Sequence, residues 1–243
     1  MRAVSLVDHT RKHPPGAGDL DAIAAALTVQ VERDFAPAWG VRPVPVTVGG
    51  RGEKLHFFDS AHAAGDMGWH QVDAHGRPYA HVYSSPSIAA GSGWVQGPDA
   101  ISTTASHEVL ELLVDPGANA YVFDGERRLW AQEVCDAVQA GTYGIRVGHT
   151  TVAVSNFVLP AFFNPWAPPP YDHLGVLERP FSIAKGGYAM VERATADLEL
   201  DARTGRPTRA RFEVVFDAAV PEWQRATKLH GFGRTWWRLA LAP

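Results

Sequence analysis

The chain predicts an α+β fold in which a mixed sheet packs on an N-terminal helix and on a second helix carrying His-Glu-x-x-Glu. Three observations lead there. Apolar residues recur at three- and four-residue spacing over 19–35, four short β-rich runs follow between 44 and 83, and STTASHEVLELLV at 102–114 returns to a helical pattern. With 243 residues, 46% hydrophobic content and eight Trp, the chain can bury one substantial core. A net charge of -4 and a pI near 6.2, without a Lys/Arg cluster, argue against a sequence-independent nucleic-acid binder.

After an apolar run at 3–7, HTRKHPPGAG is a loop and Asp19 is expected as a helix N-cap. Leu20, Ile23, Leu27, Val31 and Phe35 form the core face of helix 19–35, which Pro37 and Gly40 stop, with Trp39 packed on its end. Runs 44–48, 54–58, 68–72 and 79–83 predict a sheet of about four strands. They carry His56, His70 and His81, with His62 and His75 in the connections. A strand histidine is ordinarily a satisfied, half-buried residue. Trp69 and His70 are nevertheless candidate substrate-binding residues, because a strand beside a cleft can pair with a peptide backbone. Residues 84–101 are too rich in Gly, Ser and Pro for a regular element and predict a cleft-lining loop or lid.

In a helix over 102–114, His107 and Glu111 lie one above the other and can point at one ion, with Glu108 about 100° round the axis. In the better-known H-E-x-x-H zinc helix two histidines bind the metal and the glutamate deprotonates its bound water. Here a carboxylate takes the second position. The plain alternative is an amphipathic core helix with a charged outer face. Against it, Val109, Leu110, Leu112 and Leu113 surround the motif, and a carboxylate buried among them needs a partner such as a metal.

Asp115-Pro116-Gly117 ends the helix, and a hairpin is expected from 120–123 and 128–131 around Asp124-Gly125. Next comes Glu133-Val134-Cys135-Asp136. We take Glu133 as the third metal ligand and Asp136 as the carboxylate that orients the bound imidazole; the exchanged assignment and an ordinary surface pair are the alternatives. A second hairpin is expected from 142–147 and 151–154, and the aromatic, Pro-rich segment 160–172 is an ordered connection. Gly186-Gly187 would let Tyr188 project from a tight turn, either as a catalytic donor to an oxyanion or as a packed aromatic. One or two strands, at 198–200 and 212–216, and a basic tail with Trp236 and Trp237 complete a single domain over 1–243, with its core at about 15–190 and an extension at 191–243.

Ser106-His107-Glu108-x-x-Glu111, Asp115-Pro116, Asn119-Ala120, Glu133-x-x-Asp136 and Ser155-Asn156-Phe157-Val158-Leu159-Pro160 together resemble an uncharacterised group of bacterial zincin-like proteins with an H-E-x-x-E helix. A similar local pattern occurs in plant phosphate-induced, EXORDIUM-like proteins. The likeness covers most of 15–190 and implies a zincin-like metallopeptidase fold, although a fold does not fix a function. One imidazole and two carboxylates suit zinc and also harder ions such as manganese or iron.

The expectation is a metal-dependent hydrolase acting on a peptide or protein substrate. His107, Glu111 and Glu133 would hold the ion, with Glu108 as general base toward its bound water. Two anionic ligands would acidify that water less than a His-rich site. The rival readings are a peptide-binding module that has lost catalysis and a non-proteolytic metalloenzyme acting on a modified peptide. An N-terminus without a signal-peptide apolar region, no run of membrane-span length and a single cysteine, Cys135, predict a cytoplasmic protein with no membrane partner. The sequence leaves the oligomeric state open.

Overall fold

Alternation of buried and open side chains along short strands decides the central sheet. The computed structural model describes residues 3–61, 66–124, 128–200 and 207–215. Strands β1 (Val4–Asp8), β2 (Val46–Val48), β3 (Glu53–Phe58), β4 (Gly68–Val72) and β5 (Pro78–Tyr83) form one sheet in the order β2-β1-β3-β5-β4. The expected four strands become five because the apolar run at 3–7 is itself a strand. All neighbours are parallel except the edge strand β4, which runs antiparallel to β5. Leu6, Leu55, Phe57, Ala80 and Val82 point to one face and are fully buried or nearly so. Each of the Leu, Phe and Val side chains among them contributes about 1.5–3 kcal/mol on removal from water.

Two helices cover that face. The first is α1 (Asp19–Val29), which continues as a π-helical turn over Gln30–Phe35 and then as α2 (Ala36–Trp39). Ile23, Leu27, Val31 and Phe35 are its buried face, at the predicted spacing. The helix runs past the expected stop because Pro37 falls in the first turn of α2, where a missing N–H costs no hydrogen bond. Gly40, at φ 64°, ends it. Trp39 stacks on Phe35 and donates its indole N–H to the Val158 carbonyl. Asp19 is not the N-cap: Gly18 takes that position in the left-handed region, and the Asp19 carboxylate accepts the Gly16 N–H of the preceding loop.

The second is α4 (Ile101–Val114), carrying the His-Glu-x-x-Glu motif. Between β5 and α4 a short helix, α3 (Ser84–Ala89), replaces the first third of the expected loop. Its Pro86 lies in the first turn, so the Ser/Pro composition that argued against a regular element is compatible with a helix start. Beyond α4, β6 (Tyr121–Phe123) and β7 (Arg128–Ala131) form the first expected hairpin, and β8 (Thr142–Val147) and β9 (Thr150–Ser155) the second. β10 (Val191–Leu200) starts earlier than predicted and pairs with β7, so the C-terminal extension begins as a strand added to the β6–β7 hairpin; β11 (Pro207–Val215) pairs with β10. His62, Gly125, Phe216, Trp236 and Trp237 lie outside the described residues. No helix among the described residues is long and apolar enough to cross a membrane.

Candidate metal centre

The motif helix is fixed by polar contacts on its first two turns. Ser102 donates its hydroxyl to the Ala153 carbonyl, and Ser106 donates to the Gln30 amide oxygen while accepting the Ser155 N–H. Gln30 in turn donates to the Ser155 carbonyl, so the π-helical turn after α1, helix α4 and strand β9 share one buried network. On the opposite flank the edge strand β4 comes close because Gly68 has no side chain. A Cβ there would sit 2.7 Å from Glu108 Oε1 and 2.8 Å from Thr104 Cγ2.

This framework gathers the acidic residues. His107 Nε2 lies 3.2 Å from Glu111 Oε1 and 3.1 Å from Asp136 Oδ1. The Glu111 carboxylate also accepts the Cys135 N–H through Oε1 and turns Oε2 toward His70. His70 reaches in from β4, its Nδ1 3.6 Å from both Glu108 Oε2 and Glu111 Oε2 and its Nε2 3.8 Å from Glu133 Oε2. Glu108, Glu111, Glu133, Asp136 and Asp115 are all buried, Glu108 and Glu111 each with 3% of their surface exposed. So many carboxylates in one dry region repel one another. Burial and the Asp136 and Glu133 charges push Glu111 up to about 8 despite the opposing pull of His107. Burial and Glu133 likewise raise Asp115. Burial alone would depress the two imidazoles, yet the facing carboxylates hold His107 well above its ordinary value and lift His70 to about 10.

The His107 site passes a simple test of fit to a metal ion. One nitrogen carries at most one hydrogen, so Nε2 cannot donate in good geometry to two carboxylate oxygens at once. An ion with bonds of about 2.1 Å in a tetrahedral shell leaves about 3.4 Å between neighbouring ligand atoms. The observed 3.1 and 3.2 Å are near that spacing. Cys135 offers a sulfur close to His107 and Glu111, but burial pushes its thiol well above its ordinary value, away from the thiolate a metal needs.

The segment after β7 delivers the remaining groups. Val158 N–H bonds to the Val134 carbonyl, seating 133–136 against the strand that leads out of β9. Gly187 has the Ala137 carbonyl where its Cβ would lie, so this turn packs flat on Asp136–Ala137 and the Tyr188 N–H reaches the Asp136 carbonyl. Tyr188 as a residue is 45% exposed, and its hydroxyl is raised by burial and by the Asp136 and Glu111 charges.

The structure therefore brings together His107, Glu108, Glu111, Glu133, Asp136, His70 and Tyr188, with a division the sequence did not specify. Asp136 stands on His107, and Glu133 stands on His70. Trp69 lies apart from the cluster: successive strand residues face opposite ways, and its indole packs at a tilt against His81 and donates to the Tyr83 hydroxyl. Missed altogether was Asp115, which accepts the Ala120 N–H and whose carbonyl faces His70 Nε2. Its place directly after the helix, before Pro116, was the available signal. No family model, curated protein or solved structure matches the chain.

Proposed function

We propose that the protein is a metal-dependent hydrolase of peptide bonds, built on a zincin-like fold. The observation that carries the reading is the pairing of Glu111 and Asp136 on one imidazole nitrogen of His107, with a buried carboxylate, Glu108, one residue further along the same helix. The architecture supports it: a mixed sheet lies on an N-terminal helix and on the motif helix, with an antiparallel edge strand beside Glu108.

His107, Glu111 and Asp136 would hold a zinc, manganese or iron ion, with Glu133 the neighbouring carboxylate of the same segment. When bound, the ion would supply Lewis acidity to the reacting carbonyl. The chain's own groups would do the rest. Glu108 would accept the proton of the attacking water, for which its Oε2 is suited because it has no hydrogen-bond partner among the described residues. The Tyr188 hydroxyl, close to Asp136, would turn its one hydrogen from that carboxylate to the developing oxyanion. The outer edge of β4, paired only with β5 among the described residues, would align an extended peptide by backbone hydrogen bonds.

A second reading, a peptide-binding module without catalysis, draws on one contact: a protonated His70 beside Glu108 would tie up the proposed base. Incubating the metal-loaded protein with casein separates the two. Cleavage that Glu108→Gln abolishes, with metal content retained, is expected of the hydrolase. Unchanged cleavage in that variant would remove Glu108 from the mechanism, and no cleavage by the parent protein across zinc, manganese and iron would favour the binding module.

A further inference from the structure

We propose that the centre holds a second divalent cation, in a pocket formed by His70, Glu111 and Glu133, so that the Glu111 carboxylate bridges two ions. The inference rests on the metal-centre reading above and extends it from one ion to a pair.

One ligand atom from each of His70, Glu111 and Glu133 lies within 4.8 Å of the others, and all three residues are buried. The tautomer of His70 makes this a ligand set and not merely a crowd of acids. Its Nε2 is 3.1 Å from the Asp115 carbonyl oxygen, which can only accept, so that nitrogen carries the hydrogen. A backbone carbonyl holding one ring nitrogen in this way is the usual support of a metal-binding histidine. Once an ion displaces the ring's other proton, the lone pair is on Nδ1, which faces Glu108 Oε2 and Glu111 Oε2 at 3.6 Å each. These separations exceed a good hydrogen bond and match the distance between two ligands of one ion.

A second, independent observation points the same way. Glu108 Oε2 is inaccessible to solvent and has no hydrogen-bond partner among the described residues; it is aimed at this pocket, with His70 Nδ1 3.6 Å away. A bare carboxylate oxygen in a dry site is costly unless a cation sits beside it. The formal charge count agrees: with all of the five buried carboxylates Glu108, Glu111, Asp115, Glu133 and Asp136 ionised, one divalent ion and two imidazoles leave an excess of negative charge. Glu111 is already split between the two positions, Oε1 toward His107 and Oε2 toward His70. Nitrogen and carboxylate donors of this kind suit manganese, iron or zinc.

The full-length protein, stripped with a chelator and then dialysed against manganese chloride or zinc sulfate, gives the test by elemental analysis. Two ions per chain are expected for the parent protein. One is expected for His70→Gln, which keeps a donor for the Asp115 carbonyl but loses the ring nitrogen, and one for Glu133→Gln. A parent protein that saturates with one ion, or a folded His70→Gln that still takes two, overturns the proposal. Should His70→Gln fail to fold by circular dichroism, the manganese spectrum of the parent decides. An exchange-coupled paramagnetic signal at saturation supports the bridged pair, and an isolated-ion signal overturns it. One bound ion with intact hydrolysis would sink this inference alone. Two bound ions without hydrolysis would sink only the hydrolase reading.

Discussion

His70 and His81 lie on neighbouring strands, one step apart in register, and face opposite sides of the same sheet. Burial depresses the basicity of both, but their neighbours take them in contrary directions. His81 sits among the imidazoles of His56 and His9 and the rings of Phe58, Trp69 and Tyr79; burial and the two other histidines push it down to about 4. His70 sits among Glu133, Glu108 and Glu111, which overcome burial and lift it to about 10. One face of the sheet thus disfavours a protonated imidazole and the other favours it. A histidine in a strand acquires its chemistry from the face it lands on, not from the strand that carries it.

The largest expected effect strikes the acidic face. Glu111→Gln removes the carboxylate on which both histidines converge while keeping an acceptor for the Cys135 N–H. Loss of a group that merely orients a ligand weakens metal binding by about 10–100-fold, so loss of this one should exceed that range in a zinc titration. The metal-free variant should melt no lower than its parent at pH 8 to 9, because Glu111, held up to about 8, ionises there at a cost. A large fall in melting temperature would mean that the glutamate is structural.

Next, Gly68→Ala should separate β4 from α4 by driving a methyl group into Glu108 and Thr104. Overpacking of this kind costs about 1–3 kcal/mol, measurable by urea unfolding, and should also weaken metal binding through His70. An unchanged unfolding midpoint would show that the strand can slide away freely.

The two faces should also differ in pH dependence. In metal-free protein the native state retains protons that the unfolded chain has lost, on His70 between 6.5 and about 10 and on Glu111 between 4.5 and about 8. Where the native state binds more protons, stability falls as pH rises. Melting temperatures should therefore decline from pH 6.5 toward 10 without metal. Added metal should reverse this, since it takes the place of the protons. On the other face, His81 resists protonation between 6.5 and about 4, so stability is lost as pH falls through that window whether or not metal is present. The smallest change isolates this arm: His81→Phe should flatten the acid side of the profile by less than about 1 kcal/mol and leave the alkaline side and metal binding untouched. A shift in metal stoichiometry would contradict the separation of the faces.

Local pattern was enough for the helices and strands. Ile23, Leu27, Val31 and Phe35 at helical spacing, and Leu55 and Phe57 in alternation, state their burial in the order of residues, because side-chain direction follows backbone period. The same logic located His107, Glu108 and Glu111 on one helix. It failed at Ser84–Ala89, where composition outweighed the tolerance of a first turn for proline, and at Asp19, where the loop before the helix claimed the carboxylate.

By itself, then, the sequence pointed to most of the residues that meet in the cluster and to the elements that carry them. Only the tertiary structure decided the partners: Asp136 on His107, Glu133 on His70, Trp69 turned away from the cluster and Asp115 holding the second imidazole. Spacing along the chain fixes directions within one helix or strand. The approach of β4 to α4 and of the 133–136 segment to both depends on contacts between elements far apart in sequence, such as the gap left by Gly68 and the flat turn at Gly187, and no local period encodes those distances.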